Sequence, residues 1–235
     1  MDTLQEIREA AEKGEVFAQV VLGTLHSGFG PSWISSHYSK HYKTVVASVV
    51  EDHQEGLKWF RRAADQGSSD GQFAIGRMYE HGTNVTPKDP VEAIKWYTMA
   101  ANNGDGSAGD WAMNALAAMH FDGKGVKRDY VAAAKWYHKL ADSAGGGPAQ
   151  ARLGWMYENG KGVLQDIVEA HKWFNLAVEN IPLAVATDEK ALEKAQQQAE
   201  SDRGRVERAM TPAQIKEAWR RYDAWKDGVR GKTGA

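Results

Sequence analysis

The stretch Glu55-Gly-Leu-Lys-Trp-Phe-Arg-Arg-Ala-Ala-Asp-Gln-Gly67 decides the fold, because the chain repeats it. The same pattern returns at 92–104, and its centre returns at 132–141 and 169–178. The Lys-Trp pairs begin at positions 58, 95, 135 and 172, so they lie 37, 40 and 37 residues apart. A fixed period of this length is typical of tandem arrays of helix pairs. Each copy is interpreted as the second helix of a pair.

A first helix is predicted before each copy, over 16–25, 70–79, 110–120 and 148–157. Each has a small residue at one register, namely Gly23, Gly76, Ala117 and Gly154. Because glycine costs up to about 1 kcal/mol inside a helix, its recurrence indicates a close approach between two helices. Gly-rich turns at 82–85, 123–126 and 160–163 then end the first helices, since glycine permits a positive φ.

An aspartate stands seven residues before each repeated Trp and predicts the N-cap of the second helix. Three of these aspartates are followed at the third position by Glu, as in a capping box. The aspartates are Asp52, Asp89, Asp129 and Asp166. Every repeat has the tryptophan, so the four are predicted to be core residues: Trp59, Trp96, Trp136 and Trp173.

The register divides the chain into a cap, four repeats and a closing segment. The first repeat has 21 residues between Gly30 and Asp52 where the third and fourth have three. Such insertions often form the binding face of a repeat array. The predicted boundaries are an N-terminal capping helix at 1–14, repeats at 15–67 (with the insertion at 31–51), 68–104, 105–145 and 146–181, a degenerate fifth repeat or C-terminal cap at 182–227, and a disordered tail at 228–235.

Composition limits the partners. With 29 basic and 31 acidic residues, the net charge of −2 gives no electrostatic case for binding nucleic acid or an acidic membrane. The absence of cysteine excludes disulfides and cysteine-based sites. No apolar run is long enough to span a membrane, and no signal peptide precedes the first helix. A cytoplasmic location is predicted, or a periplasmic one if a leader has been removed.

The motifs Ala-x-x-Gly, Leu-Gly-x-Met-Tyr-x-x-Gly, Gly-Val-x-x-Asp and Glu-Ala-x-Lys-Trp-Tyr resemble those of the Sel-one-like repeat (SLR) family. The best local match is 153–173, followed by 75–104, and the resemblance covers about residues 5–180. The stretch 210–218 is similar to the C-terminal caps of bacterial members. The resemblance implies an all-α, right-handed α-α superhelix (solenoid) of about four to five TPR-like helix pairs with capping helices at both ends.

In TPR-like stacks the first helices line a concave groove, and this geometry selects candidate partner-binding residues. If the recurring Gly or Ala faces its own second helix, the groove is lined by Phe17, Val20, Thr24, Phe73, Arg77, Glu80, His81, Trp111, Asn114, Phe121, Trp155, Glu158 and Asn159. Five of these are aromatic, and aromatic residues with arginine make good interface anchors. The insertion adds Trp33, Tyr38 and Tyr42 as candidates.

Other site types find little support. His37 and His41 are spaced like metal ligands on a helix, but no carboxylate completes the motif, so neither a metal nor a cofactor is predicted. The turn at 123–126 recurs at 160–163 and lacks the spacing of a phosphate loop. No catalytic constellation is found, so the chain is predicted not to be an enzyme.

The main hypothesis is a non-enzymatic scaffold or adaptor that binds a peptide, helix or loop of another protein. One variant, resting on family analogy, is an immunity-type inhibitor of a toxin effector. A hydrolase of cell-wall or β-lactam type is an alternative, although the family members with penicillin-type ligands carry a disulfide in each repeat. A homo-oligomer formed through the last helix is another, with a monomer favoured. Nucleic-acid binding and membrane insertion are not predicted.

Overall fold

The computed structural model describes residues 4–29, 51–103, 106–142, 146–181 and 189–233. These residues form α-helices joined by turns, and no strand occurs within the described ranges. The helices are α1 (Leu4–Glu12), α2 (Val16–Ser27), α3 (His53–Asp65), α4 (Ser69–His81), α5 (Pro90–Asn103), α6 (Ser107–Asp122), α7 (Tyr130–Ala141), α8 (Gly147–Asn159), α9 (Ile167–Asn180), α10 (Glu189–Arg208) and α11 (Pro212–Thr233).

The chain divides into two compact units. Unit 1 comprises Met1–Leu116 with Lys124–Val126, and unit 2 comprises Ala117–Gly123 with Lys127–Ala235. In unit 1, α2 pairs with α3 and α4 pairs with α5; in unit 2, α8 pairs with α9. The insertion candidates Trp33, Tyr38 and Tyr42, and the histidines at 37 and 41, lie outside the described residues.

The predicted aspartate N-caps are confirmed. Each side chain accepts hydrogen bonds from backbone N–H groups two or three residues ahead, at 2.9–3.1 Å for Asp52 and 2.9–3.0 Å for Asp166. Asp89 and Asp129 cap α5 and α7 in the same way. The predicted capping boxes are only half formed among the described hydrogen bonds. Each third-position glutamate pairs instead with the lysine of the Lys-Trp motif, as Lys58–Glu55, Lys95–Glu92 and Lys172–Glu169.

The close approach predicted at the recurring glycine is also confirmed. A Cβ on Gly23 would lie 2.5 Å from the ring of Phe60, and a Cβ on Gly76 2.6 Å from the ring of Tyr97. A Cβ on Gly154 of α8 would lie 2.7 Å from the ring of Phe174 of α9. The first and second helices therefore touch at a glycine and an aromatic ring.

The ring at this contact belongs to the residue that follows each repeated tryptophan. These residues are at most 3% exposed, namely Phe60, Tyr97, Tyr137 and Phe174. Trp59 and Trp173 are buried as predicted, whereas Trp96 and Trp136 are half-buried. The expectation that all four tryptophans belong to the core is thus wrong for two of them. Successive residues of a helix are about 100° apart around its axis. When the ring that follows the tryptophan faces the first helix, the tryptophan itself therefore points to one side.

A polar contact recurs where one repeat follows another. Gln72 of α4 donates from Nε2 to the carbonyl of Ala64 at the end of α3, 3.4 Å away, and accepts from Asn103 at 2.9 Å. Gln150 of α8 donates to the carbonyl of Ala141 at 2.8 Å and accepts from Asn180 at 3.0 Å. These amides supply partners to carbonyls that a helix end leaves unpaired. Gln19 makes the corresponding contacts with Ala11 and Gln66.

The last helix is fastened to α9. Arg221 Nη1 lies 2.8 Å from Asp166 Oδ2 and 3.1 Å from Glu169 Oε2, at the start of α9. Lys226 Nζ lies 2.5 Å from Glu179 Oε1 near the end of α9. The predicted capping box at the start of α11 is complete, with Thr211 and Gln214 bonded in both directions. The helix extends to Thr233.

Candidate protein-binding surface

The candidate residues of the first helices differ widely in exposure. Val20 is 2% and Thr24 6% exposed, and the Thr24 hydroxyl donates to the Val20 carbonyl. Phe73 is also buried, at 9%. These three side chains cannot anchor a partner as they stand, which corrects the predicted set. Val20 and Thr24 are buried because α2 packs against both α1 and α3, so that ten of its twelve residues are buried.

In unit 1 the remaining candidates surround two aromatic groups. The ring of Phe73 lies 5.7 Å from that of Trp111, which is half-buried, and 5.6 Å from that of Tyr97. The Tyr97 hydroxyl donates to Glu80 at 2.6 Å. Burial, and then this hydrogen bond, raise the pKa of Tyr97. Glu80 thus holds the core tyrosine.

Arg77 and His81 lie beside Phe29, a residue missed at the sequence level. The guanidinium carbon of Arg77 is 5.7 Å from the centre of the Phe29 ring, and the His81 ring is 6.0 Å away. Phe29 follows α2 and stands just before the predicted insertion. It was missed because it belongs to a turn and so has no position in the helical register. Phe17 and Asn114 are exposed.

In unit 2 three half-buried rings meet where α6 ends, α7 begins and α8 passes both. The Phe121 ring lies 5.3 Å from that of Trp155 and 5.3 Å from that of Tyr130, both nearly edge to face. The rings of Tyr130 and Trp155 are 6.4 Å apart. We call Phe121, Tyr130 and Trp155 the unit 2 aromatic patch. Tyr130 was missed because it belongs to a second helix.

Two exposed arginines border the unit 2 aromatic patch. The guanidinium carbon of Arg152 lies 5.1 Å from the centre of the Phe121 ring, and that of Arg128 lies 5.7 Å from the Tyr130 ring. Arg128 Nη1 also donates to the Tyr130 hydroxyl, at 3.3 Å. Cation–π attraction places positive charge on this apolar surface.

The last two candidates lie one turn beyond Trp155. Glu158 forms an ion pair through Oε1 with Arg205 of α10, while its Oε2 is buried with no hydrogen-bond partner. Asn159 is exposed and donates from Nδ2 to the Trp155 carbonyl at 2.9 Å, which leaves its side-chain oxygen as an acceptor. Glu158 is thus tied to α10, and Asn159 remains available to a partner.

Two histidines of unit 2, His138 and His171, have structural contacts. His138 Nε2 lies 3.2 Å from the Tyr157 hydroxyl, and burial, then the nearby Lys172 charge, lower the pKa of His138. His171 Nδ1 lies 2.9 Å from Asn175 Nδ2, and burial lowers the pKa of His171. Within the described ranges, no three His, Asp or Glu side chains are placed to hold a metal ion. None of the helices described is both long and apolar enough to cross a membrane.

The Sel1 repeat model matches residues 47–68, 69–105, 112–144 and 147–180, which is more than half of the chain. The chain belongs to the Sel1 repeat family. The first match begins at residue 47, within the predicted first repeat at 15–67. The crystal structure of a Sel1 repeat protein from Oxalobacter formigenes is similar, with a TM-score of 0.58 and 24% identity over 81% of this chain and 74% of that one. The predicted all-α class of TPR-like helix pairs is thereby confirmed.

Two curated relatives share part of the sequence of this Sel1 repeat chain. The chitin synthase regulator SKT5 of Malassezia restricta is 32% identical over 89 residues, covering 38% of this chain and 6% of that protein. The DAP3-binding cell death enhancer 1 of Rattus norvegicus is 31% identical over 102 residues, covering 43% of this chain and 18% of that protein. The chain therefore spans less than a fifth of either relative.

Proposed function

We propose that this Sel1 repeat chain is a non-enzymatic scaffold that binds a segment of another protein through its first helices. The unit 2 aromatic patch is the observation that carries this proposal. Phe121, Tyr130 and Trp155 remain half-buried, while the rings at the helix contacts, such as Tyr137 and Phe174, are enclosed. Rigid aromatic side chains bordered by arginine are the groups that anchor protein interfaces.

The names of the relatives support a protein-binding role, since one is a regulator and the other is described as binding a protein. The insertion at 31–51, with Trp33, Tyr38 and Tyr42, is a separate candidate surface in unit 1, because Phe29 precedes it in the sequence and lies beside Arg77. In an immunity-type variant of the proposal, the bound protein would be a toxin effector.

A catalytic role is not proposed, and three of the described carboxylates have structural tasks. Asp129 caps α7, Asp166 caps α9 and pairs with Arg221, and Glu80 holds Tyr97. A hydrolase needs an acid, a base or a nucleophile beside a substrate cleft. None of these three carboxylates is left over for that task.

Affinity capture with two matched tryptophan variants tests the proposal. Trp155 lies in the unit 2 aromatic patch, whereas Trp136 is an equally half-buried tryptophan of a second helix, beside Lys139. Loss of an interface anchor typically costs 2 kcal/mol or more, about 30-fold in affinity. Trp155→Ala should therefore release the captured partner, and Trp136→Ala should retain it. Equal retention by both variants, each with native circular dichroism, would refute the proposed surface.

A further inference from the structure

We propose that the unit 2 aromatic patch recognises an acidic peptide segment of its partner. An aliphatic or aromatic side chain of the segment would pack on Phe121 and Trp155. A neighbouring Asp or Glu would bind Arg152, with Arg128 reinforcing the positive charge. This inference rests on the proposed function and specifies the chemistry of the partner.

Arg128 and Arg152 supply the charge of this site, because their guanidinium groups lie beside the aromatic rings and form no described ion pair. Arg205 and Arg221 of unit 2 each pair with carboxylates of the same unit. Among the described residues, no ion pair is formed by Arg128 or Arg152, although Asp122 is close enough that it and Arg152 both shift the pKa of Tyr137, in opposite directions. A guanidinium presents a planar fork of N–H donors that fits a carboxylate. Arg152 can thus donate hydrogen bonds to a carboxylate of the bound segment.

The apolar part of the site is held in place by the core beneath it. Trp155 packs against the buried cluster that contains Val168 and Phe174. Arg152 lies three residues before Trp155 on α8, so the two side chains project from one side of the helix. The rings and the guanidinium groups are therefore neighbours on one surface, and a short segment can contact both.

Single-stranded nucleic acid is the other ligand that combines anionic charge with stacking. The surroundings of Trp155 favour a peptide over it. Glu158 lies three residues beyond Trp155, and its buried Oε2 has no hydrogen-bond donor. Arg205 neutralises this carboxylate only in part, through Oε1, and the remaining negative charge disfavours a continuous phosphate backbone next to the ring. A peptide carries isolated carboxylates and can place them at Arg152, away from Glu158.

Selection from a random peptide display library on the purified full chain tests the inference. The expected result is enrichment of sequences with Asp or Glu close to Trp, Phe, Tyr or Leu. A synthetic peptide of an enriched sequence then becomes the probe in fluorescence anisotropy. Arg152→Glu should weaken its binding by about tenfold, since an attraction is replaced by a repulsion. Binding should also weaken as NaCl concentration rises, because salt screens exposed charges.

Arg208→Glu is the matched control for Arg152→Glu. Arg208 is an exposed arginine of α10 in the same unit, and the substitution changes the net charge equally. It should leave the peptide affinity unchanged. If both variants weaken the probe to the same extent, general electrostatic attraction explains the effect and the assignment to Arg152 is wrong.

Other outcomes separate this inference from the proposed function. Selected peptides without acidic enrichment, whose binding is lost in Trp155→Ala but kept in Arg152→Glu, would overturn the acidic specificity alone. Selection of no sequence class would count against both proposals. Binding of a poly(U) oligonucleotide that is lost in Arg152→Glu would assign the surface to nucleic acid and overturn the peptide.

Discussion

The contact between Gly154 and Phe174 gives the sharpest test of how the repeats are held together. Gly154→Ala would place a Cβ 2.7 Å from the ring, where carbon atoms normally approach to roughly 3.5–4.0 Å. Phe174 is 1% exposed and cannot swing into solvent, so α8 and α9 must separate by roughly 1 Å. Overpacking of this kind costs about 1–3 kcal/mol. The better helix propensity of alanine returns about 1 kcal/mol, so we expect a net loss of about 1 kcal/mol.

Gly204→Ala is the matched control, because it is the same substitution within helix α10. A Cβ there would meet a single atom within 4 Å, the flexible Nη1 of Arg208 at 3.5 Å. The propensity gain is then unopposed, and stability should rise by about 0.5–1 kcal/mol. Urea unfolding followed by circular dichroism measures both variants against the wild type. If Gly154→Ala raises the unfolding midpoint as Gly204→Ala does, the glycine contact does not limit the helix approach.

Three further tests concern charges. Arg221→Ala should lower the free energy of unfolding by about 1 kcal/mol and speed proteolysis of α11, because it removes the ion pairs to the start of α9. Arg220→Ala is the control, since it removes only a pair within α11 and should change little. Equal effects of the two substitutions would show that Arg221 does not hold α11 against α9. Backbone hydrogen bonding lowers the pKa of Asp129 below 3.8. The charged carboxylate therefore stabilises the fold above that pH, and this stabilisation is lost as the pH falls through the folded-state pKa. Asp129→Asn should keep the N-cap and lose less stability below about pH 4 than the wild type does, as measured by urea unfolding midpoints. Burial lowers the pKa of His171 below 6.5, so the unfolded chain binds a proton at a higher pH than the folded chain does. The free energy of unfolding should therefore fall as the pH drops below that value. His171→Gln should make the stability less dependent on pH in this range, and an unchanged pH profile would refute the role of His171.

The helical framework could be predicted because each part depends on local spacing. The aspartate caps and the glycine register follow from interactions within a few residues or between two helices that every repeat contains. The burial of Val20 and Thr24 was also within reach, since α2 is apolar almost all round and such helices are enclosed. The groove register nevertheless predicts a surface position for both, because it allows for a neighbour on only one face of α2.

The composition of the binding surface could not be predicted in the same way. Tyr130 is the first residue of a second helix, yet its ring lies 5.3 Å from that of Phe121 near the end of the preceding first helix. Arg152 falls between the positions that the register assigns to the first-helix surface, yet its long side chain extends over the Phe121 ring. Spacing along one helix gives the direction of each Cβ, whereas these contacts depend on how far a side chain reaches from a neighbouring element.

The amide contacts between repeats show how the chain itself identifies structural positions. A glutamine precedes the recurring glycine by four residues in three repeats, and an amide follows the tryptophan by seven, as in Gln72 with Asn103. In the third repeat both positions change, to Met113 and Ser143. If only one of the two amide side chains were present, its buried polar atoms would lack a hydrogen-bond partner. A repeat is therefore expected to have both amides or neither. Met113 is 7% exposed, which fits an apolar replacement in an enclosed site. These glutamines are therefore structural residues that join successive repeats. The half-buried aromatic rings remain as the candidate contacts for a partner.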